Sequence, residues 1–423
     1  MIRFYNGRLL TMVNGVAITG DEVWTDGDKI VYVGPYRSPM PSFEREINLD
    51  GNVLMPGFKN AHTHSAMTFL RSLADDMPLQ EWLYEQVFPR EEKLTAEAVY
   101  AFSKVAILEY LTSGITANFD MYFFYDAFVK ANIECGFRTV MCGSMNNFDP
   151  DPTQLERDFV RFNQVHPLIG YRLGFHAEYT TSLDRMEYVA SLADQYKVPV
   201  YTHSSETRRE TEECKKRYGK TPTELLESLN LFRYGGGGFH SVYLTESDMD
   251  IYQKRGVFAI INPGSNLKLA SGIAPVCKMM NKNIGLAIGT DGPASNNALD
   301  MFREMYLVSV LQKLSNQDAS ACNGEKVLEM ATVGGARAMG LHECDTLQEG
   351  KQADMIVIDM HRPNMQPINH ITKNLVYSGS KDNVKLTMIA GKILYEDGKF
   401  YVGEKVEDIY ARANAWTRKI MEG

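Results

Sequence analysis

Cysteine is scarce in this sequence, and the few cysteines form no pairing pattern. The chain of 423 residues has six cysteines scattered along its length, and none of them belongs to a C-x-x-C pair. This excludes a disulfide-stapled scaffold, because such scaffolds are short and dense in cysteine. We expect six free thiols in a reducing compartment, which predicts a cytoplasmic protein.

Long apolar runs and an excess of positive charge are missing as well. No segment reaches about 18 consecutive apolar residues, the length that a membrane-spanning helix needs. Residues 1–7 also lack the apolar stretch of a secretory signal. The net charge of −9 argues against nucleic acid or an anionic membrane as the main partner. We therefore predict that the protein has neither kind of partner.

Histidines and acids stand where strands are expected to end. His62 and His64 come shortly after the apolar run of residues 53–57. Two imidazoles two residues apart lie on one side of an extended strand, where they can bind one metal ion together. His203, His240 and Asp291 each follow a further apolar run and precede a plausible helix. The repetition predicts that one architecture gathers these side chains into a single site.

The middle of the chain, from about residue 58 to 350, alternates short apolar runs with helical stretches. The predicted strands are residues 139–141, 168–175, 198–202, 257–261 and 284–288, and the predicted helices are 95–113, 183–196 and 301–313. Such alternation implies a parallel sheet. Since the functional residues follow the strands, as in a closed barrel, we predict an α/β fold with a (β/α)8 TIM-like catalytic barrel over residues 58–351.

The two ends of the chain resemble each other and differ from the middle. Strand-like segments and turns occupy residues 26–28, 29–34, 353–359, 384–392 and 396–399, and residues 406–421 have helical composition. Neither end has enough strands to bury a sheet face alone. Residues 1–57 and 352–423 are therefore predicted to form one composite β-sandwich domain with a C-terminal helical tail.

The predicted site offers three imidazoles and one carboxylate to a metal ion. His62, His64, His203 and Asp291 form a donor set that favours zinc or iron over magnesium. A catalytic site leaves one position for water, whose pKa the ion lowers toward neutrality. Taken singly, His203 is at least as well explained as a core histidine as by metal binding, and Asp291 is at least as well explained as a turn residue. Their joint placement at strand ends favours the metal site.

Glu206 and His240 are candidates for proton transfer. Glu206 comes three residues after His203, at the start of a predicted helix, where a carboxylate can carry a proton from water to a ring nitrogen. Alternatively it is an ordinary helix N-terminal charge, since the following residues 208–210 suggest a solvent-exposed face. His240 can hold or polarise the water, or it simply packs at a strand end.

Several stretches resemble a known family. The run P-G-F-K-N-A-H-T-H at residues 56–64 resembles the metal-binding signature of the amidohydrolase superfamily. Within it, the chain is similar to the methylthioadenosine/S-adenosylhomocysteine deaminase group, with triazine chlorohydrolases as close relatives. Further matching stretches, at residues 75–83, 203–207, 262–276 and 289–297, extend the resemblance over essentially the whole chain.

The resemblance assigns roles to individual residues. It implies that His62, His64, His203 and Asp291 hold one divalent ion, normally zinc, with iron as the other option. It also implies that Glu206 and His240 transfer protons and orient the water, and that Asp291 takes part in proton transfer. Residues 174–178 contain no lysine that could be carbamylated to bridge two ions, so a single ion is expected. The implied substrate contacts are Trp82, Glu91 at the ribose hydroxyls and His176 near the purine ring.

The chain departs from the family at the predicted 5′ end of the substrate. Relatives that bind S-adenosylhomocysteine carry two arginines for its carboxylate, where this chain has Gly143 and Gln154. Each lost charge-assisted hydrogen bond weakens binding by about 1.5–3 kcal/mol. Arg138 or Arg157 could instead supply the contact from a new position.

Two further departures concern the sixth predicted barrel strand. Tyr243 stands where the family has a second histidine, and residues 235–238 are four successive glycines. Glycine weakens a strand interior, so the run leaves the local geometry of this strand open.

The resemblance implies a hydrolytic deaminase that releases ammonia from an adenine-type nucleoside. The candidate substrates are adenosine, 5′-deoxyadenosine, methylthioadenosine and S-adenosylhomocysteine. An alternative is an aminohydrolase or chlorohydrolase of a free heterocycle such as guanine, a pterin or an s-triazine, but the retained Glu91 favours a ribose. A catalytically inactive scaffold protein is disfavoured by the intact ligand set and Glu206. The family often forms dimers or larger assemblies, so we also expect a homo-oligomer.

Overall fold

The computed structural model describes residues 1–13, 15–73, 75–77 and 79–422. Pro78, which belongs to the family-like stretch of residues 75–83, lies outside the described residues.

The centre of the molecule is a nearly closed barrel of eight parallel strands, as the sequence predicts. Each strand pairs with its neighbours in chain order. Strands one to eight are Phe58–Thr63, Ile115–Asp120, Arg138–Cys142, Ile169–Ala177, Val200–Ser204, Gly236–His240, Val257–Ile261 and Leu286–Ile288. The principal helices around them are Ala96–Thr112, Tyr125–Cys135, Gln154–Phe162, Leu183–Tyr196, Arg208–Tyr218, Pro222–Ser228, Glu246–Arg255, Pro263–Lys268, Val276–Asn281, Met301–Asn316, Gly324–Glu329 and Gly335–Met339.

Side chains help to close the barrel between its first and last strands. The Asn60 amide donates to Thr290 Oγ1 at 2.7 Å, and the Thr290 backbone N–H donates to Asn60 Oδ1 at 2.8 Å. The backbone N–H of Asp291 then donates to the carbonyl of His62 at 3.0 Å. This closure brings residues that lie far apart in the sequence to the same end of the barrel.

The glycine run of the sixth strand is explained by the tyrosines that pack against it. A Cβ atom on Gly238 would lie 1.9 Å from Tyr252 Oη, and one on Gly237 would lie 2.7 Å from Tyr201 Cδ1. Gly236 pairs in register with Val200 of the fifth strand. The strand is therefore regular up to His240, because its neighbours supply the side chains that it lacks.

Two β-sheets lie beside the barrel, and strands from both ends of the chain contribute to them. The first sheet has the order Lys29–Gly34, Glu22–Asp26, Ile2–Tyr5 and Arg45–Asn48. The second has the order Lys399–Phe400, Lys392–Glu396, Val384–Ile389, Met355–Ile358, Val53–Pro56, Arg8–Met12 and Gly15–Thr19. Phe4, Val23, Leu54, Met355 and Leu386 belong to one shared apolar core between them. The exact domain boundaries after residues 57 and 351 stay a prediction.

The remaining features also follow the sequence pattern. The C-terminal helix Val406–Glu422 packs against Ala96–Thr112. All six cysteines are free, and five of them are buried. In the described part of the chain, no helix is both long and apolar enough to cross a membrane.

Candidate active site

A cavity of about 540 Å³ opens at the carboxyl ends of the barrel strands. Eight of the nine predicted site residues line it, and they come from five strand ends, the loop after the fifth strand and the helical segment of residues 82–91. These eight are His64, Trp82, Glu91, His176, His203, Glu206, His240 and Asp291. The ninth, His62, is fully buried and stacks on Phe239 with 3.9 Å between ring centroids. The fold therefore unites all nine residues at one place.

The predicted metal ligands converge at the inner end of this cavity. His62 Nε2 and His64 Nε2 lie 3.5 and 3.2 Å from Asp291 Oδ1. The ligand atoms of His62, His203 and His240 also lie within 4.8 Å of one another. Among the described residues, neither ring nitrogen of the buried His62 has a hydrogen-bond partner. Such an unpaired buried imidazole fits a metal ligand, because uncompensated burial of polar atoms is costly.

Backbone carbonyls fix the orientation of two of these imidazoles. His64 Nδ1 lies 2.6 Å from the carbonyl oxygen of Met121, and His203 Nδ1 lies 2.7 Å from that of His176. Donation through Nδ1 leaves Nε2 free to face the cluster, which is the usual arrangement of histidine ligands.

Two neighbouring residues after the seventh strand, Ser265 and Asn266, hold Asp291 and His240 in place. Ser265 Oγ donates to Asp291 Oδ2 at 2.5 Å, and Ser295 Oγ donates to the same oxygen at 2.9 Å. Asn266 Oδ1 lies 2.7 Å from His240 Nδ1. Sequence reasoning gave Ser265 and Asn266 no role, although they belong to the family-like stretch of residues 262–276.

The electrostatics of the cluster suit a divalent cation. Burial lowers the pKa of His62 to about 3 and that of His203 well below its usual value. Burial disfavours the charged forms of His64 and Asp291 too, but their mutual hydrogen bond prevails. It raises the pKa of His64 to about 9 and, together with the nearby ring of His62, holds the pKa of Asp291 well below its usual value. The neutral imidazoles of His62 and His203 and the ionised carboxylate of Asp291 are the forms that bind metal, and His64 would release its proton when a metal binds.

Glu206 enters the cavity from the loop after the fifth strand. It is buried, its Oε2 lies 3.8 Å from His240 Nε2, and burial raises its pKa. The helix begins later than predicted, at Arg208 with Thr207 as its N-cap, so Glu206 precedes it. The prediction of a solvent-exposed face is wrong for Glu210, which is buried because its carboxylate turns inward to accept backbone N–H groups.

The predicted substrate contacts lie further out along the cavity wall. Glu91 accepts a hydrogen bond from Tyr122 Oη at 2.7 Å, and burial raises its pKa to about 7. Trp82 is buried at the start of the π-helix Trp82–Val87. His176 Nδ1 lies 2.8 Å from Thr180 Oγ1. Tyr122 was not foreseen, since only the folded chain brings its hydroxyl to Glu91.

We call the inner group, His62, His64, His203, Glu206, His240 and Asp291, the cavity floor. The outer group, the exposed Phe123, Phe124 and Phe148 with the half-buried Asp149, is called the cavity mouth. Arg185 donates to the carbonyls of Asn146 and Asp149 at 2.8 Å each, which fixes the loop that carries Phe148. Within the described residues, no lysine or arginine lines the cavity.

The structure also locates the side chains considered for a substrate carboxylate. A Cβ atom on Gly143 would lie 2.4 Å from Leu155 Cδ1, so this position has no room for a side chain. Arg138 is buried in an ion pair with Asp354 at 2.6 Å, and Arg157 pairs with Asp151 on the surface at 2.5 Å. Neither arginine lines the cavity, and neither does Gln154.

Tyr243, at the position of the family's second histidine, likewise lies outside the cavity lining. Its hydroxyl donates to the carbonyl oxygen of Ser271 at 2.7 Å. The residue therefore links two loops rather than adding a ligand.

Comparisons with known proteins agree with this geometry. The chain is 36% identical, over 99% of its length and 98% of the relative's, to a protein of Caldanaerobacter subterraneus subsp. tengcongensis named 5-methylthioadenosine/S-adenosylhomocysteine deaminase. It is 36% identical, over 94% of its length and 96% of the relative's, to a protein of Methanopyrus kandleri named 5′-deoxyadenosine deaminase.

A solved structure and a family profile complete the comparison. A crystal structure of an adenosine deaminase from Xanthomonas campestris with bound zinc superposes with a TM-score of 0.95 at 32% identity, covering 100% of this chain and 99% of that one. The profile of the Amidohydrolase family matches residues 53–394. The resemblance seen in the sequence is thereby confirmed, and the chain belongs to the amidohydrolase family.

Proposed function

We propose that this protein is a metal-dependent hydrolytic deaminase of adenine-type nucleosides whose 5′ substituent is small or uncharged. The observation that carries the proposal is the convergence of the His–Asp cluster, Glu206 and Glu91 in one cavity of about 540 Å³. The deaminase names of relatives over nearly the full chain support the same reaction.

The residues that would hold the metal are His62, His64, His203 and Asp291. A divalent ion there would supply a water molecule with a pKa lowered toward neutrality. The unpaired ring nitrogens of His62 support this assignment. We name zinc first because imidazole and carboxylate donors suit it and because the Xanthomonas campestris structure contains it. Iron remains the alternative.

Glu206 would move the protons of the reaction. Its buried carboxylate would accept a proton from the attacking water and deliver it to the ring nitrogen next to the carbon that carries the amino group. His240, held by Asn266 through Nδ1, would keep its Nε2 toward that water. The water oxygen would bond to that carbon and pass its remaining proton through Asp291 to the amino group, so that the C–N bond breaks, ammonia leaves and a hypoxanthine-type product remains.

The outer cavity would select the nucleoside. Glu91 would hydrogen-bond the ribose hydroxyls, with Tyr122 holding its carboxylate in place. Trp82 and His176 would contact the base. A free heterocycle would leave the half-buried Glu91 carboxylate without ribose hydroxyls to bond, with Tyr122 as its remaining partner, which is costly. At the mouth, aromatic walls without a lysine or arginine would favour a small uncharged 5′ group over a carboxylate.

An ammonia-release screen with the metal-loaded enzyme tests the proposal. The substrates are adenosine, 5′-deoxyadenosine, methylthioadenosine, S-adenosylhomocysteine, guanine and a pterin. We expect the adenine nucleosides to react and the free heterocycles to react poorly. If guanine or the pterin surpasses every nucleoside, the proposal is wrong and the free-heterocycle alternative replaces it.

A cytoplasmic location, a homo-oligomer and the absence of nucleic-acid and membrane partners stay predictions. Size-exclusion chromatography with light scattering measures the oligomeric state directly.

A further inference from the structure

Glu210 is a buried carboxylate that the proposed reaction does not use. It lies in the first turn of the helix Arg208–Tyr218 and is only 4% exposed. Its two oxygens accept backbone N–H bonds from Ser205 at 2.8 Å and from Glu206 at 2.7 Å. A third, longer contact of 3.5 Å comes from Thr207. One carboxylate therefore holds three consecutive backbone amides.

Helix capping alone does not explain this geometry. In a capping box the third helical residue accepts the N–H of the N-cap residue. Two other helices of this chain do so at ordinary distances, with Thr221 to Glu224 at 2.9 Å and Thr245 to Asp248 at 2.8 Å. For Glu210 the N-cap contact is the longest of the three, and the two short bonds go to residues before the helix.

The backbone that Glu210 holds is in an unusual conformation. Ser205 has a φ of 54°, in the left-handed region that serine rarely adopts. Its N–H points to Glu210, while its carbonyl oxygen accepts bonds from Val242 at 3.0 Å and Tyr243 at 2.9 Å. Ser205 thus connects the loop that carries Glu206 with the loop that directly follows His240 at the end of the sixth strand. A strained conformation of this kind persists only where its surroundings impose it.

We propose that Glu210 is a positioning residue that holds the backbone of Ser205 and Glu206, so that the Glu206 carboxyl group faces the cavity beside His240. The inference rests on the proposed function, in which Glu206 carries the proton. Glu210 itself lies outside the cavity lining, so a substrate in the cavity would not touch it.

The test replaces Glu210 by glutamine in the full-length, metal-loaded enzyme. The amide NH2 group of Glu210→Gln would face backbone donors, so at least one of the two short bonds is lost. We expect kcat for 5′-deoxyadenosine to fall about 10- to 100-fold, because small misplacements of a reacting group have effects of this size. KM and metal content should stay at wild-type values.

A matched control separates positioning from helix capping. Glu224→Gln removes the equivalent capping-box carboxylate from the helix Pro222–Ser228, at a partly exposed site. Its kcat should stay within about twofold of the wild-type value, as is usual for surface substitutions. Equal losses in both variants would overturn the proposal.

A double-mutant cycle with Glu206→Gln tests whether Glu210 acts through Glu206. In that background Glu210→Gln should cost little further activity, because the group to be positioned no longer carries a proton. A merely structural role would reduce kcat by the same factor in both backgrounds, and that result would contradict the proposal. If Glu210→Gln folds poorly, Glu210→Asp keeps the charge, shortens the reach and allows the same cycle.

Amide hydrogen exchange of residues 204–207, measured on the full chain without substrate, gives a readout independent of turnover. Exchange should be faster in Glu210→Gln than in Glu224→Gln or the wild type. Unchanged exchange would overturn the inference. Absence of deaminase activity in the wild type would instead refute the proposed function, while the exchange result would still report on Glu210.

Discussion

The floor and the mouth of the cavity are built in opposite ways. At the floor, His62 is fully buried, and the rings of His64, His203 and His240 are each fixed through Nδ1. At the mouth, Phe148 is 83% exposed. The floor has one arrangement because packing and hydrogen bonds impose it, whereas the mouth consists of surface side chains that can vary without disturbing the barrel. We infer that the floor sets the reaction and the mouth sets the range of substrates.

The largest expected effect comes from removing a metal ligand at the floor. His62→Ala or Asp291→Ala should abolish metal binding and activity together, since too few protein ligands then remain. Elemental analysis and ammonia release measure both, and one ion per chain is expected in the wild type. His361→Ala, which removes an exposed imidazole in the β-domain, is the control and should change neither quantity. Two tightly held ions per chain, or full activity without metal, would contradict the single-ion account.

The second-largest loss of activity is expected when Glu206, the proposed proton carrier, is replaced. Glu206→Gln keeps the size of the side chain and should lower kcat by about 10²–10⁴, the usual contribution of acid–base catalysis. Metal content should stay near that of the wild type, because Glu206 is not one of the proposed ligands. Glu213→Gln, on the exposed face of the following helix, is the matched control. Turnover close to the wild-type value in Glu206→Gln would disprove the assigned role.

A smaller effect is expected where the wall of the cavity meets the ribose. Glu91→Gln should lower kcat/KM for adenosine by about 10- to 100-fold, as expected for losing charge-assisted hydrogen bonds. The loss should largely disappear with 2′,3′-dideoxyadenosine, which has no ribose hydroxyls to offer. An equal loss with both nucleosides would mean that Glu91 acts elsewhere, for example by holding Tyr122.

The residues of the cavity floor could be predicted from the sequence because each proposed metal ligand is recognisable from its local position. His62 and His203 lie at the ends of apolar strands and His64 and Asp291 lie just after such strands, and a parallel barrel brings these strand ends together. The alternation of strands and helices predicted the barrel in the same way, with helix 183–196 matching the observed Leu183–Tyr196.

The supporting contacts could not be predicted, because they depend on which loops pack together. Tyr122 meets Glu91 across 31 residues, and Asn266 meets His240 across 26. The sequence predicted an exposed helix face for Glu210 because it follows the charged Arg208 and Arg209, which are exposed in the structure. Only the left-handed turn at Ser205 directs backbone amides toward its carboxylate. The glycines before His240 are likewise explained only by the folded chain, in which Tyr252 packs against Gly238.

The division between floor and mouth is tested most directly by comparing 5′-deoxyadenosine with S-adenosylhomocysteine as substrates of the wild-type enzyme. The two share the adenine and ribose that the floor and Glu91 would contact, and they differ only in the 5′ group at the mouth. Because no lysine or arginine of the described residues lines the cavity, we predict that kcat/KM for 5′-deoxyadenosine is higher by about tenfold or more. A tenfold preference for S-adenosylhomocysteine would contradict the account.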